Sequence, residues 1–234
     1  MRILECVNLS RSYGKGEALV HALNMINLSI NERELIFITG PSGSGKSTLL
    51  HLLGGLDTPT SGRILFSKQD IQALTENERA ILRRKHFGFV FQDFQLIPVL
   101  NALDNIRMPA LLNNEDIDPV WLEMLIQKLG IKDRLKHLPN ALSGGQQQLV
   151  AIARAMIMRP QVIFADEPTG NLDSESGHNA LSLLIETAHA TGCTLVVVTH
   201  DTKAVSSASR QIVLVDGRIV EDICDEAILD AGIS

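Results

Sequence analysis

The spacing of apolar and polar positions along this chain changes several times, and each change marks an element. Ile3, Val7 and Leu9, then Ala22, Met25, Ile26, Leu28 and Ile30, lie among polar residues in the short alternation of strands, so a small antiparallel sheet is expected first. Leu35-Ile36-Phe37-Ile38 is a compact apolar run ending in Thr39-Gly40, the pattern of a buried strand feeding a glycine-rich loop. A helix is expected from Lys46 through Leu53. Turn residues from Asp57 to Gly62 break the chain. Beyond them Arg63–Phe66 and Phe87–Phe91 are read as strands that resume the sheet, with a charged helix near Glu76–Arg84 between them.

From Asp93 to about Asn140 the apolar residues recur at helical spacing, as in Trp121, Leu122, Leu125, Ile126 and Leu129, punctuated by Pro98, Pro109 and Pro139. A separate helical lobe is expected there. The pattern then alternates: helix near Gly145–Met158, strand Val162–Ala165, helix Glu175–Ala190, strand Leu195–Thr199, and strands near Ile212–Val215 and Arg218–Val220. Such alternation implies a parallel sheet. The expected architecture is α/β, with residues 1–92 and 141–234 forming one core and residues 93–140 inserted as the helical lobe. No internal repeat or low-complexity tract is visible.

Composition narrows the function. At 234 residues with 45% hydrophobic and 21% charged residues, the chain can bury a substantial core and is too apolar for intrinsic disorder. A net charge of −6 argues against a nucleic-acid partner, which calls for a basic face. Cys6, Cys193 and Cys224 are widely spaced and form no CxxC pair, so each is read as small core filler in a reducing compartment. No run approaches the ~20 apolar residues of a membrane span, and the start of the chain lacks a signal-peptide core. Membrane association is therefore expected through a partner, without direct insertion.

Gly40-Pro41-Ser42-Gly43-Ser44-Gly45-Lys46-Ser47-Thr48 fits the phosphate-loop pattern GxxxxGK[ST] at a strand-to-helix junction. Its glycines let backbone N–H groups turn inward, the helix start adds positive potential, Lys46 is suited to the outer phosphates and Ser47 to Mg²⁺. Val162-Ile163-Phe164-Ala165-Asp166-Glu167 is an apolar strand ending in two carboxylates. Asp166 is expected to orient the metal shell and Glu167 to polarise an attacking water, the alternative being a solvated acidic turn. Leu142-Ser143-Gly144-Gly145-Gln146 stands before a helical pattern. Ser143 can cap that helix while Gly144 and Gly145 leave its backbone open to phosphate, or the segment is an ordinary capped loop.

With these three segments together the chain resembles the nucleotide-binding subunits of ABC transporters over essentially its whole length. The resemblance implies a P-loop NTPase (RecA-like) core with a small antiparallel β subdomain and an inserted helical subdomain, and hydrolysis of ATP with Mg²⁺. It implies that Leu142–Gln146 closes over ATP held by a second copy, so that two chains sandwich two nucleotides head to tail. Gln92 corresponds to the Q-loop glutamine, which touches Mg²⁺ or the attacking water. Tyr13 corresponds to the aromatic that stacks on adenine, Asp173 in Gly170-Asn171-Leu172-Asp173 to the D-loop carboxylate, and His200 to the switch histidine at the γ-phosphate. Each has a plainer alternative: exposed loop, core aromatic, helix cap, structural histidine. His21, His51, His86, His137, His178 and His189 show no metal-ligand spacing and receive no role. Ser67-Lys68-Gln69-Asp70 resembles the guanine-reading NKxD motif only by chance.

Longer phrases, Leu53–Gly62, Phe87–Gln92 and Ala165–Asp173, are similar to the LolD/MacB branch. Leu96-Ile97-Pro98, Asn101-Ala102-Leu103, Met108–Leu112 and His137-Leu138-Pro139 are most similar to its YbbA-type subunits. That branch implies a permease of the LolC/LolE, MacB or YbbP kind, with few spans and a large extracytoplasmic domain, and a peripheral place on the cytoplasmic face of the bacterial inner membrane. Two residues depart from the family pattern: Leu149 replaces the usual Arg, and Arg33 replaces Gly in the turn Asn31–Glu34. The rival readings are an ABC ATPase of DNA repair or translation, which usually carries long coiled coils or two cassettes, and a regulatory nucleotide binder, motivated by Leu149.

Overall fold

The computed structural model describes residues 1–200 and 208–224. They form two compact units, one of Met1–Ala80 with the described residues from Thr194 onward, the other of Ile81–Cys193.

In the first unit β1 (Arg2–Tyr13) and β2 (Val20–Asn31) pair antiparallel, with Cys6 opposite Leu28, Leu9 opposite Ile26 and Tyr13 opposite Val20. Of the positions read as alternating, Ile3, Leu9, Ile26, Leu28 and Ile30 lie in the core together with Leu4 and Cys6, whereas Val7 and Ala22 are half-buried and Met25, at φ 51°, is exposed. The other edge of β1 takes β4 (Ser61–Phe66), also antiparallel, and β5 (Gln69–Asp70) completes the order β2-β1-β4-β5. This corrects the expectation that Arg63–Phe66 and Phe87–Phe91 resume one sheet: the former adds to this antiparallel sheet and the latter does not. Alternation tells which face of a strand is buried and nothing about its neighbour. Ser67 and Lys68, at φ 48° and 71°, form the tight turn between β4 and β5, as a two-residue hairpin with both centres left-handed requires.

Also in this unit, β3 (Leu35–Thr39) pairs parallel with β8 (Thr194–Val198) and β9 (Arg210–Val215). Ile36, Phe37 and Ile38 have no exposure, the signature of a strand covered on both faces. The parallel expectation fails at β10 (Arg218–Cys224), which returns antiparallel to β9 through Asp216-Gly217. Cys6 and Cys193 are buried as expected, whereas Cys224 sits exposed on this edge strand. Arg210 binds the two ends together: its guanidinium grips Asp222 through two nitrogens at 2.6 and 2.7 Å and donates to the Ser29 carbonyl at 2.7 Å. Asp222 and Glu34 hold its pKa well above the usual arginine range. Arg33 keeps the tight turn that glycine would favour, at φ 65°, its N–H anchored on Thr194 Oγ1 at 2.9 Å.

In the second unit β6 (Phe87–Phe91) and β7 (Val162–Asp166) run parallel from Phe87 opposite Val162 to Phe91 opposite Asp166. The chain reaches them through α2 (Glu76–His86), a helix with only Leu82 buried. Residues 93–141 hold α3 (Ala102–Asn113), α4 (Pro119–Lys128) and two short 3₁₀ turns. Asn101 and Asp118 cap α3 and α4. Asn105, fully buried, accepts from Ile97 N–H and donates to the carbonyls of Ile97, Leu100 and Asn101, fastening the preceding loop to α3. α5 (Gly144–Met156) and α6 (Ser174–Thr191) complete the unit.

Candidate functional site

The first unit carries the glycine-rich loop and the helix start expected to receive phosphate. The loop after β3 curls around Gly40 and Gly45, at φ 143° and 101°. A Cβ on Gly40 would lie 2.0 Å from the Leu214 carbonyl oxygen, and one on Gly45 would lie 2.3 Å from that of Ala22. Neither the dihedral nor the space admits another residue. The loop is pinned at Ser44, whose carbonyl accepts from Gly217 N–H at 3.0 Å. At its end α1 (Lys46–Leu53) begins with no side-chain cap and no acidic residue in its first turn, leaving its first N–H groups to an anion. Lys46, buried, spans the curl and donates to the carbonyls of Gly40 at 3.0 Å and Pro41 at 2.9 Å. Ser44 Oγ is buried without a hydrogen-bond partner among the described residues. A buried hydroxyl left unmatched inside a glycine loop fits a phosphate oxygen. Pro41, Ser42 and Gly43 form the exposed crest, and Ser47 and Thr48 stand half-buried in the first turn of α1.

Two further expected residues belong to this unit. Ile38 on β3 faces Val198 on β8 in parallel register, so Gly40 and His200 leave neighbouring strands at the same carboxyl edge, where open α/β sheets bind ligands. His200 is exposed there. Tyr13 closes β1 opposite Val20, two residues from Ala22, which backs Gly45. Tyr13 is 41% exposed, which rules out the core alternative. Its hydroxyl donates to Asp57 at 2.7 Å, and the Arg11 guanidinium, itself 2.8 Å from Asp57, lies 4.5 Å from the ring centroid. One ring face is thus engaged by a cation.

The second unit gathers the acidic and glutamine-bearing loops. Since Phe91 pairs with Asp166, Gln92 and Glu167 emerge side by side from β6 and β7. Glu167 adopts φ 46° directly before Pro168, a conformation disfavoured for a side-chain-bearing residue and further restricted by the proline. Gln92 is exposed and bound to the next loop: its Nε2 donates to Asn171 Oδ1, and Asn171 Nδ2 donates to the Gln92 carbonyl at 3.2 Å and to Asp93 at 2.7 Å. Asp173 caps α6, accepting from Ser176 N–H at 3.0 Å, and this backbone donor lowers its pKa below the usual carboxylate range. The structural alternative for Asp173 is therefore realised, beside whatever else it does.

The segment 143–146 opens α5 with a reciprocal cap. Ser143 Oγ accepts from Gln146 N–H at 3.3 Å, and Gln146 Oε1 accepts from Ser143 N–H at 3.1 Å. No acid occupies the first turn, and Gly144 and Gly145 present bare backbone. The cap predicted from sequence is present, and the helix start remains receptive to an anion.

Comparison with known proteins decides the family. The model for "ABC transporter" matches residues 23–170, spanning the phosphate loop, the 143–146 segment and the carboxylate strand. The chain belongs to the ABC transporter family. It is 49% identical over 223 residues, 94% of this chain and 99% of the relative, to the uncharacterized ABC transporter ATP-binding protein MJ1508 of Methanocaldococcus jannaschii. Among solved structures it is similar to the ATP-binding cassette MJ0796, captured as a dimer in a post-hydrolysis state with ADP and Pi: TM-score 0.87, 38% identity, 95% of this chain and 98% of that one. It is also similar to cbiO1 of Clostridium perfringens, part of the cbiONQ transporter complex, with TM-score 0.83, 30% identity, and coverage of 98% of this chain and 91% of that one. The chain is thus an ABC ATPase and an ATP-binding subunit, with the cassette fold expected from its motifs.

Within this cassette, sequence reasoning missed the residues that tie the loops together. Arg154 of α5 donates to the carbonyls of Phe94, at 2.8 Å, and Gln95, two residues held at φ 59° and 51° after Gln92. Its burial pulls its pKa down to about 10. Gln148 of α5 has no exposure and donates to the Pro168 carbonyl at 2.6 Å. The signal for Gln148 was present: it precedes Ala151 and Ile152 at helical spacing, on a face that is otherwise apolar.

Proposed function

We propose that this cassette works as a pair of identical chains that bind two Mg·ATP and drive a membrane permease. Lys46, Ser44 and the amides of Gly40–Thr48 hold the phosphates. Tyr13 stacks on adenine. Ser47, Asp166 and Gln92 bring a hydroxyl, a carboxylate and an amide oxygen, the hard-oxygen groups that would hold Mg²⁺; when bound, the ion neutralises charge on the outer phosphates. Glu167 takes the proton of the attacking water, and His200 contacts the γ-phosphate. Gly144, Gly145 and Gln146 after Ser143 complete the site of the second copy, and Asp173 links the two sites. The carrying observation is that one chain offers two helix starts, α1 and α5, each glycine-led and free of acid. The dimeric MJ0796 cassette supports the pairing.

The partner reading is finer. The phrases Leu53–Gly62 and Ala165–Asp173 favour the LolD/MacB branch, with a permease of few spans and a large extracytoplasmic domain that exports or releases lipoproteins, lipids, macrolides or peptides. Among the described residues no helix is long and apolar enough to cross a membrane, so the permease would bring this subunit to the cytoplasmic face of the inner membrane. Affinity capture of the tagged chain from detergent-solubilised membranes is expected to recover one such integral protein. Recovery of ribosomes or DNA without any membrane protein would overturn the assignment.

The nucleobase platform gives a second expectation. Tyr13→Ala raises the KM for ATP about tenfold, the size of a lost base–aromatic stack, and leaves kcat within about twofold. Asp57→Asn, which weakens the hold on the Tyr13 hydroxyl, moves KM in the same direction by less. Unchanged KM in steady-state ATPase assays of Tyr13→Ala would remove Tyr13 from the site.

A further inference from the structure

Gln148 is the feature that the cassette reading leaves unexplained. Its side chain has no exposure, and its Nε2 donates to the Pro168 carbonyl at 2.6 Å across the gap between α5 and the loop after β7. Its Oε1 is buried without a hydrogen-bond partner among the described residues. The amide cannot be reversed to cure this, because a carbonyl facing it demands a donor. A buried unmatched acceptor destabilises a fold, and an apolar side chain of equal length would avoid that loss. The polar group is retained at a place where packing alone would favour leucine or methionine.

The residues at either end of this bond explain what the amide does. At one end, Ser143–Gln146 is one turn earlier on the same rigid helix, fixed by its reciprocal cap. At the other end, Pro168 follows Glu167, whose φ of 46° must be held by its surroundings. Arg154, farther along α5, holds the carbonyls of Phe94 and Gln95 just beyond Gln92. α5 therefore grips both loops that emerge from β6 and β7, and Gln148 is its only hydrogen bond to Pro168 among those described.

We infer that Gln148 is a positioning residue for Glu167: through the Pro168 carbonyl it sets the direction of the Glu167 carboxylate, and it passes any shift of the helix start at Ser143–Gln146 to that carboxylate. In the paired arrangement this makes hydrolysis at a chain's own nucleotide respond to whether its α5 has engaged the nucleotide of the other copy. The inference rests on Glu167 being the base and deepens that assignment.

The test uses the full chain with Gln148→Met, which preserves length and volume but has no donor. A misdirected base slows the chemical step without touching substrate binding, so kcat falls about tenfold while the KM for ATP stays within about twofold. Introduced into a Glu167→Gln background, Gln148→Met leaves the ATP-dependent dimer and its ATP midpoint unchanged. Gln148→Glu, of equal size and also lacking the N–H donor at neutral pH, shows the same kcat loss. Wild-type kcat in Gln148→Met overturns the inference, as does an equal change in KM. Failure of both variants to fold also overturns it, since the amide would then be a folding requirement. If Glu167→Gln itself kept turnover, the base assignment would fail separately, whatever Gln148 does.

Discussion

Glu167→Gln is expected to lower ATP turnover at least about a hundredfold, the scale of losing a general base, and to convert the chain into a dimer whenever Mg·ATP is present. The two effects follow from one substitution because it separates binding from chemistry. Glutamine matches glutamate in size, so the packing around Pro168 and β7 is undisturbed. The proposed phosphate contacts come from Lys46 and the loop Gly40–Thr48, which the change does not touch. Nucleotide therefore still binds. What is lost is the acceptor for the proton of the attacking water. In the proposed cycle only hydrolysis reopens the pair, so the closed form accumulates. Light scattering should report doubling of mass with ATP and none with ADP, alongside loss of phosphate release. A monomer under ATP, or turnover near wild type, would reject Glu167 as the base.

The sequence carried the parts of this machine that depend on local chemistry. The helix from Lys46 to Leu53 was legible to the residue because a glycine loop announces where it starts. The α5 cap was legible because Ser143 and Gln146 stand three apart, the spacing of a reciprocal cap. Where partners are distant in sequence, legibility ended. Tyr13 meets Asp57 and Gln148 meets Pro168, and no periodicity within one element encodes either pairing. Arg63–Phe66 was legible as a strand, yet nothing local to it names β1 as its neighbour, since the Ser67-Lys68 turn fixes only its pairing with β5. β10 was visible as a strand, but its direction is decided by the two-residue turn Asp216-Gly217. Asn171 was noted only as part of a motif, although it makes the hydrogen bonds that join Gln92 and Asp93 to their neighbouring loop. The residues proposed for the chemistry come in motifs, whereas their supports come as contacts between distant segments, so only the former could be named from sequence.

Gly144→Asp separates a site completed by a second copy from one completed within the chain. A Cβ at Gly144 would meet the Leu172 Cδ2 methyl at 3.2 Å and otherwise only atoms at 3.7 Å, so a flexible side-chain end can give way. A carboxylate in the first turn of α5 is favourable to the helix itself, and the fold should survive. For an incoming phosphate the same carboxylate is repulsive. If α5 serves the nucleotide of the other copy, the isolated Gly144→Asp monomer binds ATP with wild-type affinity, because its own phosphate loop is intact. Its turnover nevertheless falls about a hundredfold, and in the Glu167→Gln background its ATP-dependent dimer is lost. Co-expression with Lys46→Ala, itself inactive, then restores activity. In a mixed pair both lesions fall in one site, and the other site combines an intact phosphate loop with an intact α5. Random pairing and independent sites put the recovered rate at about a quarter of wild type. A monomer whose ATP affinity collapses on Gly144→Asp, with no recovery on mixing, would instead place α5 at its own chain's nucleotide.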